Sequence, residues 1–273
     1  MKAQLIIGLL FFLVLAVAVW WLILPWINRK KGELYHNTDR RVDGLWLGDP
    51  PAIVSDMELQ TGDVLFCSPH IRKGWLIQQS TAGVYTHCAI YIGDSQVADS
   101  TPCRGVSISP LSEFDKQYRY IAVARCPGIW TEPNDSENRQ QEIKYRKNAI
   151  KRYVKICEGM KVRYNPIGAL FVPFREWLWI KQSSWERNSK LDWLLFLFVT
   201  KRGGHGAMFC SEFVHRCFVA CGHLNKEEHS HLLSPNALSE DDTFGFVGYR
   251  SLGGLQLVNE NDPFLDGCSY VLH

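Results

Sequence analysis

Residues 86–102 read THCAIYIGDSQVADSTP. Two short runs, HCAIYIG at 87–93 and QVADS at 96–100, are rich in strand-forming residues, and Gly93, Asp94 and Ser95 lie at their junction. The stretch therefore reads as a β-hairpin. His87 opens its first strand and Asp99 sits in its second. Strand side chains alternate between faces, so these two share a face only if the connection holds an odd number of residues or a bulge. Gly93-Asp94-Ser95 permits a three-residue loop. An imidazole backed by a carboxylate is an oriented base, which a nucleophile elsewhere in the chain could use.

Working outward, GDVLF at 62–66 precedes the hairpin, and GVSIS at 105–109 and YRYIAVARC at 118–126 follow it, with Gly, Pro and Asp turns between. These runs predict an antiparallel meander. After the polar, Pro-containing stretch 128–138, residues 139–157 place Ile143, Ile150, Tyr153, Val154 and Cys157 on one helical face. Lys144, Lys147, Lys151, Arg152 and Lys155 fall opposite and read as a solvated face in preference to a lipid-binding one. The fold class expected is α+β, an antiparallel sheet followed by helices.

The second decisive stretch is GAMFCSEFVHRCFVACG, 206–222. Gly206 marks a turn, Phe213, Val214, Cys217, Phe218 and Cys221 recur at helical spacing, and Gly222 stops the helix. Cys210 thus falls in the first helical turn, away from the apolar stripe. Unpaired N–H groups and the positive end of the helix dipole favour a thiolate there, and thiolate is the reactive form of cysteine. Cys217 and Cys221 read as small buried apolar residues.

Together these segments resemble a known family. TGDVLF followed by THCAIYIGDSQVADSTP is similar to the Gly-Asp strand and His-bearing hairpin of the NlpC-type papain-like cysteine peptidases. In that superfamily the cysteine helix normally precedes the histidine strand, whereas FCSEFV at 209–214 follows it. The order resembles the circularly permuted branch, which contains bacterial amidohydrolases and the lecithin:retinol acyltransferase relatives. The resemblance covers about residues 59–126 and 139–240, including YN at 164–165 and SPNAL at 234–238. It implies a circularly permuted papain-like fold with Cys210 as nucleophile, His87 as general base and Asp99 as the group that orients the imidazole. Asp99 departs from the His, Glu, Asn or Gln usual at that position. Tyr164 matches the aromatic that flanks the cleft, and is expected to contact substrate.

Other segments bear on location. Leu5 to Ile27 (LIIGLLFFLVLAVAVWWLILPWI) carries no charge and exceeds the ~20 residues that span a bilayer core. A cleaved signal peptide is the rival, since Lys2 and Ala16-Val17-Ala18 suit one. The apolar run continues through Trp20, Trp21 and Trp26, which favours an uncleaved anchor with an interfacial aromatic belt. Arg29, Lys30 and Lys31 follow it, and the positive-inside rule then favours a cytoplasmic catalytic domain. Nine cysteines without regular spacing also suit a reducing compartment. The expected organisation is an anchor at 1–31, a linker at 32–58 and one catalytic domain at 59–273. Within that domain, 166–204 is a Trp-rich insertion that serves as a buried helical pair or as a surface at the bilayer interface.

Thirty basic against 28 acidic residues give a net charge of +2 over 273 residues, with no global field calling for nucleic acid. The His and Cys residues of 205–231 lack finger or ribbon spacing, so no metal site is expected, and no phosphate-binding glycine pattern or other cofactor motif is present. The function expected is a membrane-anchored cysteine hydrolase acting on a peptide, a cell-wall peptide or a lipid-linked amide. A lipid acyltransferase or thioesterase using the same residues is the alternative, and a catalytically silent scaffold that binds lipid or peptide is the third reading.

Overall fold

In the computed structural model the described residues are 39–42, 53–69, 84–129, 136–166, 168–169, 207–224, 234–239, 243–250, 256–259 and 262–264. The anchor expected at 5–27 and nearly all of the Trp-rich stretch lie outside them. Among the described residues no helix is long and apolar enough to cross a membrane.

The protein is α+β, built on a six-stranded antiparallel sheet. In chain order the strands are β1 (Asp39–Val42), β2 (Val64–Pro69), β3 (His87–Gly93), β4 (Gln96–Thr101), β5 (Gly105–Pro110), β6 (Tyr118–Arg125), β7 (Gly245–Arg250) and β8 (Gln256–Asn259). The main sheet runs β5-β4-β3-β2-β6-β7, while β1 and β8 form a separate two-stranded antiparallel ribbon. The described helices are α1 (Leu111–Asp115), α2 (Glu137–Gly159), α3 (Cys210–Ala220) and α4 (Pro235–Ser239), with a 3-10 turn at Pro127–Ile129.

The strand order departs from the expected meander at one place. A meander would seat β6 beside β5, but β6 pairs with the far side of β2, Val64 opposite Ala124. Leu111 and Phe114 of α1 join Leu65, Ala89, Tyr91, Val97 and Ile121 in one buried cluster, so the chain crosses that face of the sheet before β6 begins. The opposite face, with Phe66, Cys88, Ile90 and Ala98, is covered by Ile150 and Val154 of α2 and by Phe213, Val214, Cys217 and Phe218 of α3. Alternating side chains of β2 and β3 are therefore buried on both faces, which explains their near-continuous apolar composition.

Local chemistry sets the main turns. Gly62 has φ +100°, and a Cβ there would meet Ile129 at 2.1 Å. Asp63, fully buried, takes the Arg125 guanidinium at 2.7 and 2.8 Å and ties the start of β2 to the end of β6. Residues 53–54, within the stretch expected as linker, lie on the sheet edge: Val54 N–H donates to the Tyr249 carbonyl at 2.9 Å, and Arg250 donates back to the Val54 carbonyl at 3.0 Å. α2 is capped by the Ser136 hydroxyl and buries Ile143, Ile150, Val154 and Cys157, as its periodicity predicts. Its basic side carries Lys147 bonded to Gln60 and Lys151 facing Asp94.

Candidate active site

The hairpin that carries His87 uses a bulge. Tyr91 opposes Val97 and Gly93 opposes Gln96, which leaves Ile92 as the extra residue. The connection is the two-residue Asp94-Ser95 turn, with φ of 56° and 52°, so the three-residue loop is not used. One extra residue restores the parity that a two-residue turn alone would break. His87 Nε2 and Asp99 Oδ2 consequently stand 3.0 Å apart, with the carboxylate fully buried and the imidazole 13 % exposed. Ser107, directly opposite Asp99 on β5, donates its hydroxyl to Oδ1 at 3.4 Å. The His87 ring also stacks on Tyr118, with centroids 5.8 Å apart and planes 9° from parallel, and Phe114 closes the same side.

Cys210 is the first residue of α3. Its N-cap, Phe209, is extended and its side chain makes no capping bond; Phe213 N–H is bonded to the Phe209 carbonyl at 2.9 Å. The Cys210 amide lies ahead of that bond, at the positive end of the helix. Two contacts hold this helix start in place. Ser100, next to Asp99 but facing the helix, donates its hydroxyl to the Met208 carbonyl at 2.7 Å. Met208 N–H donates to the Arg163 carbonyl at 2.9 Å, where residues 163 and 207 form a parallel bridge. The same segment is fastened to β5 through Val106 N–H and the Val162 carbonyl, 2.9 Å. Tyr164 is thereby carried to the sulfurs: burial pushes its phenol up, and so do the neighbouring Cys210 and Cys88.

The structure thus brings Cys210, His87, Asp99 and Tyr164 into one cluster. Cys210 and His87 are close enough that each perturbs the other, while Nε2 of the ring is engaged by Asp99. Burial works against a charged imidazole, but the Cys210 thiolate and the Asp99 carboxylate outweigh it and raise His87 to about 10. Cys210 is held well below the ordinary thiol value. The neighbouring Cys88 lowers it most, burial opposes, and His87 adds to the lowering. Burial pushes Cys67, Cys88, Cys126, Cys157, Cys217 and Cys221 the other way.

No protein-family model and no curated protein match the chain.

Cys88 is the participant that sequence reasoning missed. It follows His87 on β3, and alternation turns its side chain to the face that α3 covers, into the same buried cluster as Cys210, whose thiol it helps to lower. Its signal in the sequence was a polar-capable residue at an inward strand position beside the candidate base. Tyr118 and Ser100 were missed too, because their partners lie across nonlocal strand and helix contacts. Among the described residues no group of His, Cys, Asp or Glu is arranged to hold a metal ion. Chemically, a thiolate beside an oriented imidazolium at a helix start can attack an electrophilic carbonyl and hand a proton to the departing group.

Proposed function

We propose that this protein is a cysteine hydrolase of the circularly permuted, NlpC-type papain-like class, cleaving an amide or peptide bond through a Cys210 thioester. The observation that carries this reading is geometric: His87, bonded to Asp99 at 3.0 Å, stands beside Cys210 at the first residue of α3, an arrangement that favours the thiolate and the imidazolium together. The order of Gly-Asp strand, His hairpin and Cys helix supports the permuted family reading. The uncharged run 5–27 supports attachment to a membrane, with peptide, cell-wall peptide or lipid-linked amide as substrate.

The chemistry follows from the geometry. The Cys210 thiolate forms a bond to the carbonyl carbon, and the resulting oxyanion is met by the Cys210 N–H at the helix start. Collapse of the tetrahedral species breaks the C–N bond, and the leaving nitrogen takes its proton from the imidazolium. His87, now neutral, removes a proton from water as that water attacks the thioester. Departure of the thiolate releases the acid and returns the proton to the His87–Cys210 pair. Tyr164 lines the approach to the sulfur.

The test offers peptide amides and phospholipids to the full chain and to Cys210→Ala. Amide hydrolysis that falls by several orders of magnitude in the variant, with a thioester trapped on Cys210 in the parent, is the expected result. Turnover unchanged by Cys210→Ala would sink it. Transfer from phospholipid to an added acceptor, with no hydrolysis of amides, would instead support the acyltransferase reading.

A further inference from the structure

Tyr85 lies two residues before His87 and is held by an unusual contact. Asn236, in α4, accepts the Tyr85 N–H on Oδ1 at 2.8 Å and donates from Nδ2 to the Tyr85 carbonyl at 2.9 Å. Both residues are buried. One side-chain amide thus does what an opposing strand residue would do, satisfying a donor and an acceptor of the same backbone unit. Only Asn or Gln offers both functions in one plane, which gives the Asn of SPNAL a task that an apolar or acidic residue could not perform.

The surroundings make this a rigid clamp. Ser239 donates its hydroxyl to the Asn236 carbonyl at 2.7 Å, and Leu238 N–H closes on the Ser234 carbonyl at 2.9 Å, so α4 is fixed about the amide. On the other side, the Tyr85 hydroxyl donates to the buried Asp262 carboxylate at 2.6 Å, and Tyr120 donates to the same oxygen at 2.9 Å. Thr86, the single residue between Tyr85 and His87, is bonded through its N–H to the Cys67 carbonyl at 3.1 Å. Backbone placement therefore passes from Asn236 through Tyr85 to the residue whose imidazole must meet Cys210. α4 also lies beyond α3 in sequence, so the clamp ties the base to the segment that follows the nucleophile.

We propose that Asn236 is a positioning residue for His87: its amide fixes the Tyr85 backbone and so sets the imidazole against Cys210. The inference rests on the cysteine-hydrolase reading of the same site. It assigns to Asn236 a role that the proposed acyl-transfer steps do not require.

The experiment follows alkylation of Cys210 by iodoacetamide from pH 5 to pH 10.5 in the full chain and in Asn236→Asp and Asn236→Ala, using peptide mass spectrometry to separate the thiols. Thermal unfolding is recorded alongside. Asn236→Asp keeps the acceptor for Tyr85 N–H but sets an oxygen against the Tyr85 carbonyl; Asn236→Ala removes both bonds. The ratio of the Cys210 rate at pH 6 to that at pH 10 is expected to fall about tenfold or more in each variant, because a displaced imidazolium no longer maintains the thiolate. Labelling of exposed Cys103 should follow its parental profile. A lower melting temperature with an unchanged ratio would overturn the proposal and leave Asn236 a purely structural residue. Failure of both variants to fold would count against it in the same way. Should parental Cys210 label no faster than Cys103 at pH 6, the hydrolase reading itself fails, an outcome distinct from a variant effect.

Discussion

Asp99 meets His87 across a hairpin whose strands would hold them on opposite faces but for the bulge at Ile92, and the resulting Nε2–Oδ2 separation is 3.0 Å. The carboxylate is buried and also held by Ser107, so it is fixed while the imidazole retains some access. Orientation of the His87 imidazole is thus built into the pairing register of β3 and β4.

That arrangement sets a pH window for the thiol. With Cys210 pushed down and His87 raised to about 10, the ion pair should persist from mildly acidic pH up to the alkaline range. Alkylation of Cys210 is expected to hold a plateau across neutral pH, well below the range where an ordinary thiol of pKa about 8.5 becomes reactive, and to change again near pH 10 as His87 loses its proton. A single rise centred on the ordinary thiol value would contradict the ion pair.

Replacing Asp99 by Asn removes the charge while retaining an acceptor of similar shape. His87 is raised despite its burial by Cys210 and Asp99 together, so the alkaline break should move to lower pH in Asp99→Asn, and turnover should fall by ~10²-fold. The stability consequence has a definite sign. A histidine whose folded value lies above the ordinary 6.5 contributes fully below that pH and loses its contribution as pH rises through about 10. Urea denaturation at pH 6 and pH 10 should therefore show a smaller pH difference for Asp99→Asn than for the parent. An equal or larger difference would remove Asp99 from the coupling.

Cys88 should act through the nucleophile. Its thiol lies in the same buried cluster as Cys210 and helps to lower it, while burial pushes Cys88 itself up. Cys88→Val fills the site without a side-chain donor, so Cys210 alkylation at pH 6 should drop about tenfold and approach the parental rate above pH 9. Cys88→Ser restores a donor and should recover part of the loss. If valine leaves the acid-side rate untouched, the backbone N–H and His87 suffice without the thiol.

These residues differ in how far sequence discloses them. The helix start at Cys210 was legible because Phe213, Val214, Cys217, Phe218 and Cys221 define the helix, and all five are buried; that Cys210 is itself buried in the same cluster, and not set apart from the apolar stripe, was not. The strands of the hairpin were legible from composition, but whether a loop residue or a bulge restored parity was not, since Gly93-Asp94-Ser95 serves either. Cys88 was obscured because its importance depends on which face α3 covers, and α3 follows more than a hundred residues later in the chain. The place of β6 beside β2 was hidden for the same reason. Strand pairing is nonlocal, and only the passage of Leu111 and Phe114 across the sheet fixes it.

Asp63 and Arg125 give a test that separates fold from chemistry. The Gly62-Asp63 pair belongs to a stretch that resembles the Gly-Asp strand of NlpC-type peptidases, yet the Asp63 carboxylate grips Arg125 through two hydrogen bonds. Arg125 also donates to the Glu58 carbonyl at 2.8 Å, so the guanidinium joins β6, the start of β2 and the segment before it. Asp63→Ala would leave a largely buried guanidinium without its carboxylate, at a cost of about 3–5 kcal/mol. The double replacement Asp63→Ala with Arg125→Met should recover much of that, because both buried charges are then gone. Denaturant midpoints measure the loss and the recovery. In whatever fraction remains folded, the pH profile of Cys210 alkylation should match the parent, since neither residue bonds to Cys210, His87 or Asp99. A shifted profile would show that the Gly-Asp strand tunes the nucleophile as well as holding the sheet.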